Sequence, residues 1–114
     1  MKRRLRSVIT EHKELAPHIF SLKLKTEMSA EAVPGQFIGI YPKDGARILM
    51  RPISICDSDA ETGELRMVYR AAGKGTAEIS GYGAGESLDI LGMLGNGYDL
   101  EAVKGKKVIL LGGG

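Results

Sequence analysis

Cysteine is nearly absent from this sequence: Cys56 is the only one in 114 residues. An internal disulfide and a cysteine-built metal cluster are therefore excluded. Histidine is scarce as well. His12 and His18 stand near an expected turn with no partner at metal-ligand spacing, and both read as surface residues. No apolar run approaches the roughly 18 residues that a membrane helix needs. No basic segment leading into an apolar stretch opens the chain as a secretory leader would. These absences lead to the expectation of a cytoplasmic protein that makes no membrane contact. A strong charge excess is missing too, and a formal net charge of +2 argues against nucleic acid as a partner. The locally basic "KRRLR" belongs to an alternation in which Leu5, Ser7 and Ile9 face one way and Arg4, Arg6 and Val8 the other, so it reads as the solvated face of a strand.

What the sequence does have is period-two alternation. Phe20, Leu22 and Leu24 oppose Ser21, Lys23 and Lys25, and Leu65, Met67 and Tyr69 oppose Glu64, Arg66 and Arg70. Half-buried antiparallel strands read this way. Turn punctuation separates the runs, as "VPGQ" at 33–36, "PKDGA" at 42–46, "SDAETG" at 58–63 and "GYGAGE" at 81–86. With 16 glycines and a length that suits one domain, the chain is expected to form a small closed or sandwiched β-domain. "TAEIS", Thr76 to Ser80, breaks the alternation and is expected to be one or two helical turns opened by Thr76 as the capping residue.

The C-terminus differs in kind. Val108 to Leu111 is continuously apolar and runs into Gly112, Gly113 and Gly114. Buried parallel strands have that pattern, and an apolar strand ending in glycines suits the opening of a nucleotide-binding α/β unit. The other reading is a last barrel strand with a tail. On the first reading the chain divides into a β-domain over 1–103 and the start of a truncated nucleotide-binding domain over 104–114. Deprived of its sheet, the apolar strand would pack back on the barrel, self-associate or lose order.

Three short motifs carry chemistry. "AAGKGT" fails as a P-loop because Val68 stands where the first glycine belongs, and fails as a dinucleotide fingerprint because Glu78 takes the third glycine position. Gly73 and Gly75 still permit close backbone approach, and a helix beginning at Thr76 would offer free N–H groups to an anion. A plain glycine turn before a capped helix explains the same residues equally well. "LMRPISI" places Arg51, whose planar fork suits pyrophosphate, before the rigid Pro52, with the Ser54 hydroxyl on an otherwise apolar strand. A salt-bridged arginine on a barrel rim is its alternative. "MVYRA" adds Tyr69, on the core-facing side with Leu65 and Met67, and a second cation, Arg70.

Taken in order, Arg-Pro-Ile-Ser, a Tyr-Arg strand and Gly-Lys-Gly-Thr resemble the flavin-binding domain of the ferredoxin reductase superfamily. Within it the set is most similar to the electron-transfer subunits of two-component, NAD-dependent dihydroorotate dehydrogenases. "APHIFSLKL", "PGQFIGIY", "GMLGNGY" and "VILLGGG" extend the resemblance over nearly the whole chain. The resemblance implies an all-β fold, a six-stranded antiparallel Greek-key barrel with one short helix, ending in the first strand of a NAD-binding domain. It implies FAD as cofactor, lined by Arg51, Pro52, Ile53 and Ser54, with Arg51 on the pyrophosphate and Ser54 near the reactive edge of the isoalloxazine. Val68, Tyr69 and Arg70 would form the next contact strand. Gly75 and Thr76 would offer their amides, and Thr76 its hydroxyl, to the pyrophosphate. No catalytic residue and no metal ligand is implied within this chain.

The 2Fe-2S cluster and NAD of such subunits would belong to the full-length parent only, because the four cysteines of the cluster are missing here. The partner implied is the catalytic flavoprotein subunit, in a heterotetramer serving pyrimidine biosynthesis. Ile53 stands where many superfamily members have an aromatic residue, so ring stacking on the flavin is not available from that position. Other readings are a flavin subunit of another ferredoxin–NAD(P) or hydrogenase-linked reductase, and a non-redox β-barrel binding module.

Overall fold

The structure, a computed structural model, describes residues 3–43 and 49–113. Six strands follow the alternating runs: β1 (Arg3–Ala16), β2 (Ile19–Lys25), β3 (Phe37–Tyr41), β4 (Arg51–Asp59), β5 (Glu64–Arg70) and β6 (Ser87–Leu94). They close into a barrel in the order β1-β2-β5-β4-β3-β6, with every pair antiparallel. The run β2-β5-β4-β3 is a Greek key, in which three hairpin-linked strands are flanked by the strand that precedes them. The expected all-β barrel is thus observed.

Alternation sets the core. Leu22 lies opposite Met67 and Leu24 opposite Leu65, and all four are completely buried, as are Ile38, Ile40 and Ile90 from the far wall. Each such side chain contributes about 1.5–3 kcal/mol by leaving water. The outer face of β1 carries Arg4 and Arg6, which bond the Asp89 carboxylate on β6 at 3.0 and 3.2 Å. The basic N-terminal run is therefore a solvated, ion-paired strand face. One polar position departs from the pattern: Ser21, expected outward, is buried and accepts a 2.9 Å bond from Arg66 Nε.

The helices differ from expectation in number and in start. In place of one, the described residues form α1 (Lys74–Ile79), α2 (Leu100–Val103) and a 3-10 turn over Glu27–Glu31. The 3-10 turn begins at Thr26, whose hydroxyl accepts from Met28 N–H at 3.3 Å, and it lowers Met28, fully buried, into the barrel. In α1 the residue before the first turn is Gly73, and Thr76 lies inside the helix. From there its Oγ1 accepts the N–H groups of Ala72 and Gly73, both at 3.1 Å. Thr76 thus caps from within the first turn, a geometry that sequence pattern does not separate from a true cap residue.

The turns at 33–36, 58–63 and 81–86 fall between elements as expected, with Gly35, Gly63 and Gly85 at positive φ. The turn expected over 42–46 lies, from residue 44 onward, outside the described residues. The apolar run Val108 to Leu111 forms no strand. It extends without a ladder, and its side chains are 52 to 92% exposed. A parallel strand exists only beside another, and no described strand reaches these residues. The run does not fold back on the barrel either.

Candidate functional site

β4 changes neighbours partway along its length. Its first residues pair with β3, Arg51 opposite Ile40 and Ser54 opposite Phe37. Its last residues pair with β5, from Asp59 opposite Glu64 to Ile55 opposite Met67. A register shift between Ile55 and Asp57 makes Cys56 the extra residue of a bulge at the handover, where the strand bends. Among the described residues the β4–β5 ladder ends there. Arg51–Ser54 and Val68–Arg70 accordingly lie on two arms that are not laddered to each other, and α1 follows directly from the second arm.

Topology brings Arg51 onto the start of α1. A Cβ placed on Gly75 would fall 2.0 Å from Arg51 Nε and 2.9 Å from its Cζ, so only glycine lets the guanidinium lie against this turn. The first intrahelical bond of α1 runs from Ala77 N–H to Gly73 C=O at 2.9 Å, which leaves the amides of Lys74, Gly75 and Thr76 without helical acceptors. Among the described residues no carboxylate pairs with Arg51, so the salt-bridged reading of this arginine finds no partner. A cation beside amides that have no helical acceptor suits a phosphate or pyrophosphate group. The Thr76 hydroxyl accepts two loop amides and lies 3.2 Å from Gly73 C=O, so it shapes the loop from inside.

The other expected residues divide by strand alternation. Pro52, Ser54, Val68 and Arg70 are exposed on the outer face. Ile53 and Tyr69 point inward and are 6% and 7% exposed, so each offers a ligand its backbone and an ordered core behind it. Beyond Ser54 the surface continues as a cleft past Cys56 and Asp57 to Pro34, Gly35 and Tyr98. Two fastened loops form its far wall: Tyr98 N–H donates to Pro34 C=O at 2.8 Å, and Gln36 Nε2 donates to Gly95 C=O at 3.2 Å. Cys56 is an exposed free thiol on a strand beside these residues.

Sequence reading missed His12. It is half-buried rather than on the surface, with its ring between Tyr69 Oη at 2.7 Å and Tyr82 C=O at 2.6 Å. Tyr69 also stacks on Phe20, with ring centroids 5.6 Å apart, and burial pushes its phenol pKa well up. Tyr82 is raised to about 12, first by burial and then by its bond to Glu78, so both phenols stay neutral. No pattern in the sequence separates His12 from a solvated strand residue, since both its partners come from distant segments. His18 is exposed as expected, in the β1–β2 turn at φ 63°.

No family model matches the chain. The electron transfer subunit of dihydroorotate dehydrogenase B (NAD(+)) from Streptococcus mutans is 44% identical over 107 residues, covering 93% of this chain and 42% of that protein. The subunit of the same name from Bacillus cereus strain B4264 is 41% identical, covering 100% of this chain and 45% of the relative. Among solved structures, the NADH-dependent reduced ferredoxin-NADP oxidoreductase, studied for flavin-based electron bifurcation, superposes with a TM-score of 0.76 at 30% identity. That match covers 82% of this chain and 34% of the other.

The closed antiparallel barrel and the short helix after β5 define the class: a barrel of the ferredoxin reductase type. Within that class the chain is similar in sequence to the electron transfer subunits of NAD-dependent dihydroorotate dehydrogenase, and it spans about two fifths of the length of the curated relatives it matches.

Proposed function

We propose that this chain binds FAD as the flavin domain of a dihydroorotate dehydrogenase electron-transfer subunit. One observation carries the reading: the Arg51 guanidinium lies against Gly75 at the start of α1, in a place that a Cβ would fill. The pyrophosphate would be held there by Arg51 and by the amides of Gly75 and Thr76. Pro52, Ser54, Val68 and Arg70 would line the flavin with side chains, and Ile53 and Tyr69 with backbone. When bound, FAD supplies one- and two-electron redox chemistry. The chain's own residues bind and orient it, and no acid–base pair is required of them.

On this reading residues 1–103 are the flavin domain and 104–114 lead into a nucleotide-binding domain. The 2Fe-2S cluster and the NAD site would lie in the remainder of a longer subunit. That subunit would pass electrons from a catalytic flavoprotein partner, in a heterotetramer in the cytoplasm, through the cluster and FAD to NAD. Among the described residues no helix is long and apolar enough to cross a membrane. The 30% identity to the ferredoxin-NADP oxidoreductase chain favours a second reading, a flavin domain of another NAD(P)-linked reductase, which would use the same seat.

The test is a fluorescence titration of FAD with the purified chain. Saturable quenching with the absorption of a bound flavin is expected. No quenching with protein at about tens of micromolar, a range in which binding worth roughly 6 kcal/mol is already visible, overturns the reading for this chain.

A further inference from the structure

We propose that His12 is a positioning residue that clasps both ends of the segment carrying α1. Its two bonds reach Tyr69, at the end of β5, and Tyr82, after α1. Between those anchors lies the whole excursion that bears Gly73, Gly75 and Thr76. One imidazole on a third strand, β1, therefore fixes the exit and the return of the loop.

The chemistry of the two partners settles the proton. A carbonyl oxygen only accepts, so His12 Nδ1 carries the hydrogen and donates to Tyr82 C=O. In the neutral ring Nε2 is then the acceptor, and the Tyr69 hydroxyl donates to it. Both bonds are partly shielded from solvent, and the ring is packed by Phe20 at 5.7 Å and by Tyr69 at 5.9 Å between centroids. Other ties reinforce the ends without crossing between them. Ala71 N–H donates to His18 C=O at 2.8 Å at the exit, and Lys43 N–H donates to Tyr82 Oη at 2.7 Å at the return. Of these contacts, His12 alone touches both. Its function is to hold the amides of α1 at a fixed distance from Arg51, which sits on the other arm.

One readout of the test rests on the FAD reading and two do not. Nitrogen NMR of the neutral imidazole is expected to show His12 protonated at Nδ1; an Nε2-protonated ring overturns the clasp. Hydrogen exchange is then compared between the wild-type chain and His12→Leu. Amides over 71–81 are expected to exchange about tenfold faster or more, while those of Leu22, Leu24 and Leu65 keep their protection, because local opening is set apart from global unfolding. Acceleration spread evenly over the barrel, or none, overturns the proposal. Tyr69→Phe keeps the buried ring, loses one arm of the clasp, and serves if His12→Leu does not fold. It is expected to loosen 71–75 by about threefold and to leave the Tyr82 end protected. Unchanged exchange at 71–75 in this variant also overturns the clasp. In FAD titration His12→Leu is expected to bind about tenfold more weakly than wild type, a difference of roughly 1.4 kcal/mol. Equal affinity overturns the positioning role. If the wild-type chain binds no FAD, the flavin reading falls, and exchange and NMR still decide the clasp.

Discussion

The two ends of β4 are built from one continuous strand and do different work. From Ile55 to Asp59 it is laddered to β5 and the barrel wall is sealed, with Leu65 and Met67 fully buried behind it. From Arg51 to Ser54 it belongs to β3, and the neighbouring arm of β5 leads off into α1. At the sealed end every side chain is explained by packing or solvation. At the open end the Arg51 side chain lies against Gly75 with no carboxylate partner among the described residues, and the amides of the first turn of α1 have no helical acceptor. Where the β4–β5 ladder stops, the Arg51 side chain lies against the first turn of α1.

Substitutions at the two ends are expected to separate stability from binding. The largest effect belongs to the sealed end. Leu65→Ala should cost about 2–5 kcal/mol of unfolding free energy, measured by urea denaturation, because the barrel cannot collapse onto the space it leaves. The fraction still folded should bind FAD as before. Next comes Gly75→Ala at the open end. The new methyl displaces the guanidinium, a flexible side-chain end, so stability should change by less than about 1 kcal/mol. FAD affinity should fall by about 1.5–3 kcal/mol, the value of a lost charge-assisted bond, as read by titration. Equal losses of stability and affinity would erase the distinction between the ends.

Acid provides a smaller and graded test. The Lys43 ammonium, 2.7 Å from Glu86, and the Gly83 amide hold the Glu86 carboxyl below its ordinary value of 4.5. A depressed folded pKa means that this contribution is present above the unfolded value and disappears as pH falls through the folded one. The thermal midpoint should therefore drop on acidification, and Glu86→Gln should flatten that limb slightly, since the pair is exposed. The smallest effect is expected in the apolar run. Ile109 is 85% exposed, so Ile109→Ser should leave barrel stability within about 0.5 kcal/mol by denaturation.

The barrel was legible because period two writes the core directly into the sequence: Leu22, Leu24, Leu65 and Met67 alternate as they are buried. The motif order also marked Arg51 and Gly75 before any geometry was known. Their contact was not legible, since it depends on which strand β4 leaves at the Cys56 bulge, and bulges are set by tertiary fit. His12 escaped notice for a similar reason, because a bridging histidine and a solvated one share the same local pattern. Thr76 misled because a hydroxyl inside the first turn can do a cap's work. Val108 to Leu111 has the composition of a buried strand, but a strand requires a neighbour to ladder with, and among the described residues none reaches this run.

The most direct measurement is a pair of titrations, FAD and riboflavin, on the wild-type chain and on Arg51→Ala. Riboflavin has the ring system without the pyrophosphate. If Arg51 and the start of α1 form the pyrophosphate seat, the substitution should weaken FAD by about tenfold or more, at least 1.4 kcal/mol, and leave riboflavin unchanged. An equal loss for both ligands, or none for FAD, would contradict it.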